Sequence, residues 1–119
     1  MNAWSVAPQS SPARSSLITG CYAPTYGMDV HPVSYDTPAD IFFPQRLREA
    51  GYYCTNNSKT HYNSTNNNKA CWDECTKTAS YNSPKRGKDQ PFFAVFNTVT
   101  SHMGRIRTFH TDGRRDYTK

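Results

Sequence analysis

The chain has 119 residues, with 14 Lys and Arg against 9 Asp and Glu, giving a formal charge of +5. Only 35% of the residues are hydrophobic, so the sequence supports one small domain and excludes a large buried core. Eight Tyr and six Phe argue against full disorder, and no stretch is long and apolar enough to span a membrane.

The positive charge suits a polyanion. The basic residues are mostly scattered, however, with short clusters only at 85–88 and 105–115. That spread reads as a solvated surface, which argues against a nucleic-acid groove or a membrane face. Met1-Asn2-Ala3-Trp4 has no basic region followed by an apolar run, so no signal peptide is visible.

Residues 2–9 read as a short strand or loop. Residues 10–20 read as a capped helix. Ser10 or Ser11 suits the cap, Pro12 the first turn and Gly20 a left-handed C-terminal cap. Ser10 then lies at the positive end of a helix dipole, where free N–H groups favour an anion. Arg14, one turn on, can point back at the same spot. Residues 21–37 are loop-like, broken by Pro24, Gly27 and Pro32; His31 could line a pocket there but reads first as a surface residue. Thr37 and Pro38 predict a second helix start, with Pro44 restarting or kinking that helix. Leu47 and Ala50 share one face of it and Gly51 ends it. A strand at 52–55 follows, which makes an αβ unit of a layered α/β fold.

Residues 56–69 are rich in Asn, Ser and Thr and read as a loop or insertion with little prospect of a packed core. They carry Lys59 and His61. They also carry two glycosylation sequons, at Asn56 and Asn63, which matter only in a eukaryotic secretory pathway. Cys71 and Cys75, with Cys54 and His61, could make a zinc site. Alternatively, the four Cys form disulfides in one of three pairings, or stand as separate thiols. Residues 80–90 read as a surface turn. Residues 91–98 are the clearest strand, and the run Phe92-Phe93-Ala94-Val95-Phe96 predicts a buried central strand. Residues 97–102 then fall at a strand's C-terminal end, where open α/β sheets place ligands. Residues 103–119 are basic and polar, without a strong period.

Three stretches together resemble one family. Ser10, Pro12, Arg14, Leu17, Thr19 and Gly20 stand in register with the sulfatase signature of Cys or Ser, any residue, Pro, any residue, Arg, a short gap, then Leu-x-Thr-Gly. Leu47-Arg48-Glu49-Ala50-Gly51-Tyr52, followed by Ser58-Lys59-Thr60-His61, is similar to the family's second motif, with Ser58 where that motif has Gly. Residues 91–97 followed by Ser101-His102 resemble the third. Cys21 replaces the Arg that often precedes Tyr22.

The resemblance implies an α/β fold, part of an alkaline-phosphatase-like α/β/α sandwich. It implies that residues 1–119 are the N-terminal part of a sulfatase catalytic domain, truncated at both ends. It implies a sulfuric ester hydrolase of the bacterial Ser type, whose Ser10 is oxidised to formylglycine by a radical maturase. The hydrated aldehyde attacks sulfur and releases the alcohol, and sulfate is expelled as the aldehyde re-forms. Arg14 is then the partner that stabilises position 10. Lys59 and His61 hold the sulfate and the formylglycine, and His102 donates to the ester oxygen. A Ca²⁺ ion is implied too, with Ser10 as formylglycine among its ligands and the remaining ligands absent from this chain. The substrate is a sulfated small molecule or glycan, and the location is periplasmic or secreted. The rival readings are a formylglycine-dependent phosphodiesterase or phosphonate hydrolase, and a small basic Cys-containing zinc-binding module.

Overall fold

The computed structural model describes residues 2, 4–38, 40–66, 68–100 and 102. Two α-helices, α1 (Ser10–Thr19) and α2 (Phe43–Glu49), accompany three strands: β1 (Tyr53–Asn56), β2 (Glu74–Cys75) and β3 (Phe92–Val95). Short 3-10 helices lie at Ala23–Tyr26 and Asn68–Cys71. The strands form one parallel sheet in the order β2-β1-β3, with Tyr53 opposite Phe92 and Asn56 opposite Val95.

α1 ends where the sequence predicts. Gly20 takes φ 72°, a conformation L side chains resist, and its N–H bonds the Ser16 carbonyl at 3.0 Å. Its start differs. Gln9 is the N-cap and supplies no side-chain hydrogen bond, while Ser10 and Ser11 are already helical. The second helix also starts later than predicted. It begins at Phe43, with Pro44 in its first turn, where the missing N–H costs nothing. The Thr37 hydroxyl, free of any capping role, pairs with Ser64 Oγ at 2.7 Å and accepts from Asn66 Nδ2 at 2.7 Å.

One apolar cluster holds these parts together. Ile18 of α1, Phe42, Cys54 of β1, Tyr62, Cys71 and Trp72 are all buried, and Ile41, Leu47, Phe93 and Val95 pack against them. Burying each large side chain contributes about 1.5–3 kcal/mol. Phe43 meets Phe93 edge to face at 5.3 Å, so both helices cover the same face of the sheet. The opposite face is covered by the turn-rich segment ahead of β3. There Tyr81 stacks on Phe92 at 5.0 Å and Tyr53 Oη donates to Ser83 Oγ at 3.2 Å.

Two expectations are corrected. Among the described residues β3 is an edge strand, with Phe92 47% and the following Phe96 59% exposed. The central, fully buried strand is β1 (Tyr-Cys-Thr-Asn), because strands flank it on both sides and side chains cover both faces. The segment 56–69 is no bare insertion either: Tyr62 sits in the core and Asn63 is 2% exposed. Asn56 is also fully buried, so neither sequon Asn offers its amide to a glycan in the folded chain. The parallel sheet is compatible with part of an α/β/α sandwich. Residues 103–119 and Ala39 lie outside the described residues, as do Ser101 and the basic cluster at 105–115.

Candidate functional site

Parallel strands end on one side, and their C-terminal loops meet there. The loop after β1 carries Lys59 and His61. The turn after β3 carries Thr98 and His102, closed by a 3.0 Å bond from the His102 N–H to the Val99 carbonyl. These four residues line a cleft of about 790 Å³, together with Ser10 and His31. Four of the five residues singled out for catalysis are thus brought to one wall-to-wall space, and the fifth, Arg14, is not part of its lining.

Arg14 instead reaches beneath the cleft. Its Nε donates to the Thr60 carbonyl at 3.0 Å, its Nη2 to the Lys59 carbonyl and its Nη1 to Asn97 Oδ1 at 2.8 Å. Its guanidinium lies 5.6 Å from the Tyr62 ring centre. A planar fork with fixed donors suits two successive carbonyls and an amide better than one mobile anion. In this structure Arg14 therefore braces the Lys59–His61 loop, which corrects the expectation that it points back at Ser10.

The brace continues through three asparagines. Asn97 Nδ2 donates to Asn56 Oδ1 at 2.8 Å and to Asn57 Oδ1 at 2.9 Å, and Asn56 Nδ2 donates to the Lys59 carbonyl at 3.1 Å. Asn63 joins this loop to the one carrying His31. Its buried Nδ2 donates to the Met28 carbonyl at 3.1 Å and the Val30 carbonyl at 3.0 Å, and its own carbonyl accepts from the Tyr35 N–H at 2.9 Å. Sequence reasoning missed this group. The one available signal was a cluster of Asn at a strand end, a residue type that satisfies backbone groups through both its donor and its acceptor.

The loop between them is strained. Ser58, His61 and Asn63 all have positive φ, of 84°, 40° and 51°. Non-glycine residues rarely take such angles unless surrounding bonds over-determine them. Here Arg14 and the asparagines supply those bonds.

The cleft is electropositive. Because Gln9 gives no side-chain cap, the first-turn N–H groups of α1 keep their attraction for an anion beside Ser10. Burial, followed by the nearby His31, Lys59 and Arg14, holds the His61 imidazole below its ordinary value. His61 is therefore neutral at pH 7 and offers one donor and one acceptor.

Ser10 is half-buried on the first turn of α1, and its hydroxyl has no hydrogen-bond partner among the described residues. Calcium does not fit the residues present. It takes six to eight oxygen ligands, chiefly carboxylates, whereas the cleft lining contains no Asp or Glu. Among the described residues no three His, Cys, Asp or Glu side chains cluster closely enough to share a metal ion. The four Cys are free thiols in this structure. Burial pushes the Cys54 and Cys71 thiols up to about 11, which disfavours the thiolates that zinc needs.

No helix among the described residues is long and apolar enough to cross a membrane. No protein-family model matches the chain, and no solved structure matches it. Over 114 aligned residues the chain is 34% identical to the ulvan-active sulfatase of Formosa agariphila, an alignment covering 85% of this chain and 19% of that protein. The chain resembles a sulfatase over most of its length. It spans about a fifth of the length of this curated relative.

Proposed function

We propose that this chain is the nucleophile-bearing part of a sulfatase, a hydrolase of sulfuric esters. The observation that carries the reading is the cleft itself. Ser10, Lys59, His61 and His102 come from three separate stretches of chain and share its lining. The 34% identity to a sulfatase supports the same reading.

Oxidation of Ser10 to formylglycine supplies the nucleophile, an oxygen on the hydrated aldehyde. The chain's own residues bind and orient. Lys59 brings a mobile cation to the sulfate oxygens, and the uncapped end of α1 adds N–H dipoles aimed at the same charge. His102 donates a proton to the leaving alcohol oxygen. His61, neutral at pH 7, holds one proton and one lone pair beside position 10. Arg14 fixes the backbone from which Lys59 and His61 project. Charge aimed beforehand at the reacting group avoids reorganisation during reaction. The substrate is a sulfated small molecule or glycan, the modifying partner is a formylglycine-generating maturase, and the location is periplasmic or secreted.

The test is hydrolysis of matched sulfate and phosphate esters by the protein co-expressed with a Ser-type maturase. The reading predicts preference for sulfate and loss of turnover in Ser10→Ala. Preference for the phosphate ester, or substantial turnover in Ser10→Ala, overturns it.

A further inference from the structure

His31 has no role in the reading above, yet it lines the same cleft as Ser10, Lys59 and His61. Its Nδ1 is hydrogen-bonded to Ser11 Oγ, a hydroxyl fully buried in the first turn of α1. Among the described residues Ser11 Oγ has no other partner. Leaving a buried hydroxyl proton without an acceptor is costly, and Nδ1 is the acceptor within reach, which favours Ser11 as the donor of this bond. The neutral imidazole is then the tautomer with its proton on Nε2. The ring is also held from the side, edge-on to His61 with centroids 5.2 Å apart. Its loop is tied down by the Asn63 bonds to the carbonyls of Met28 and Val30. His31 is thus an exposed ring at the cleft that a buried hydroxyl, a ring neighbour and an anchored backbone hold in one orientation.

We propose that His31 is an anion-contacting residue of the cleft, donating from Nε2–H to an oxygen of the tetrahedral sulfate group, with Ser11 as the residue that positions it. The inference rests on the sulfate-binding reading of the cleft. It adds a third imidazole to the cleft, beside His61 and His102.

The experiment is ¹⁵N NMR of the imidazole nitrogens in the full chain at constant pH, with inorganic sulfate as the probe. The expected result is a protonated Nε2 on His31 that shifts as sulfate is added. Ser11→Ala should weaken sulfate binding about three- to ten-fold, as losing one positioning hydrogen bond implies, and should redistribute the His31 tautomers. His31→Gln, which keeps a donor, should bind sulfate better than His31→Ala. If sulfate shifts His61 but leaves His31 still, this inference falls and the sulfatase reading stands. If sulfate shifts neither ring, both fall. The wild-type spectra decide the matter even where a variant fails to fold.

Discussion

Arg14 and Asn97, 83 positions apart, meet through a 2.8 Å hydrogen bond from guanidinium to amide oxygen. That one contact ties α1 to the C-terminal end of β3, and the remaining Arg14 donors tie α1 to the loop after β1. Three stretches of chain are thereby locked where the cleft opens.

Removing the guanidinium should therefore cost stability as well as function. Arg14→Ala leaves the Thr60 carbonyl and Asn97 Oδ1 without this donor and the Lys59 carbonyl with Asn56 Nδ2 alone, an expected loss of about 2–4 kcal/mol by urea unfolding. Arg14→Lys should recover only a minor part, since an ammonium cannot reproduce the fork. Full recovery by Lys would mean that charge alone matters at this position.

Asn63 should be nearly as costly. Its Nδ2 satisfies two backbone carbonyls in a buried setting. Asn63→Ala should destabilise the chain by about 2–3 kcal/mol and loosen the loop bearing His31. Faster amide hydrogen exchange around Met28 and Val30 is the direct readout.

Ser58 offers the opposite sign. At φ 84° it carries a side chain in a region that suits glycine. Ser58→Gly should stabilise by about 0.5–1 kcal/mol, the relief of left-handed strain less the entropy of a freer unfolded chain. A measured loss of stability would show that the Ser58 side chain is itself an anchor.

His61 makes stability depend on pH. Its folded-state value lies below the ordinary imidazole value, chiefly through burial and then through His31 and Lys59. Between the lowered value and about 6.5, the unfolded chain therefore binds more protons than the folded one. Stability should rise with pH across that window, be fully present above it, and fall as acid protonates the folded ring. His61→Gln should flatten this part of the profile. Added sulfate should raise the His61 midpoint, as an anion favours the charged ring.

The thiols should divide into two classes. Burial raises Cys54 and Cys71 to about 11, while Cys75 is exposed and Cys21 half-buried. Iodoacetamide at pH 8 should label Cys21 and Cys75 in the folded chain, and Cys54 and Cys71 only on unfolding. Rapid labelling of all four would contradict the packing around β1.

Much of this arrangement was legible in local residue types. Pro12 and Gly20 bracket α1, and the αβ step from Leu47 to Tyr53 stands as read. The order of strands was not legible, because an apolar run reports hydrophobicity and not its neighbours. Thus Phe92-Phe93-Ala94-Val95 forms an edge, and the more polar Tyr53-Cys54-Thr55-Asn56 takes the centre. Asn56 tolerates burial there because Lys59 and Asn97 satisfy its amide. The direction of Arg14 was hidden for a similar reason. Its acceptors lie 45, 46 and 83 positions away, beyond any local pattern. His31 is an exposed turn residue, as read, but its bond to Ser11, 20 positions distant, lay beyond any local pattern.

The central claim is that position 10 carries the nucleophile. The most direct test is mass spectrometry of the peptide containing Ser10, from protein co-expressed with a Ser-type formylglycine maturase. The account predicts loss of two hydrogens at Ser10 and an aldehyde that reacts with a hydrazide. An unmodified Ser10, from cells whose maturase converts a control substrate, would contradict it.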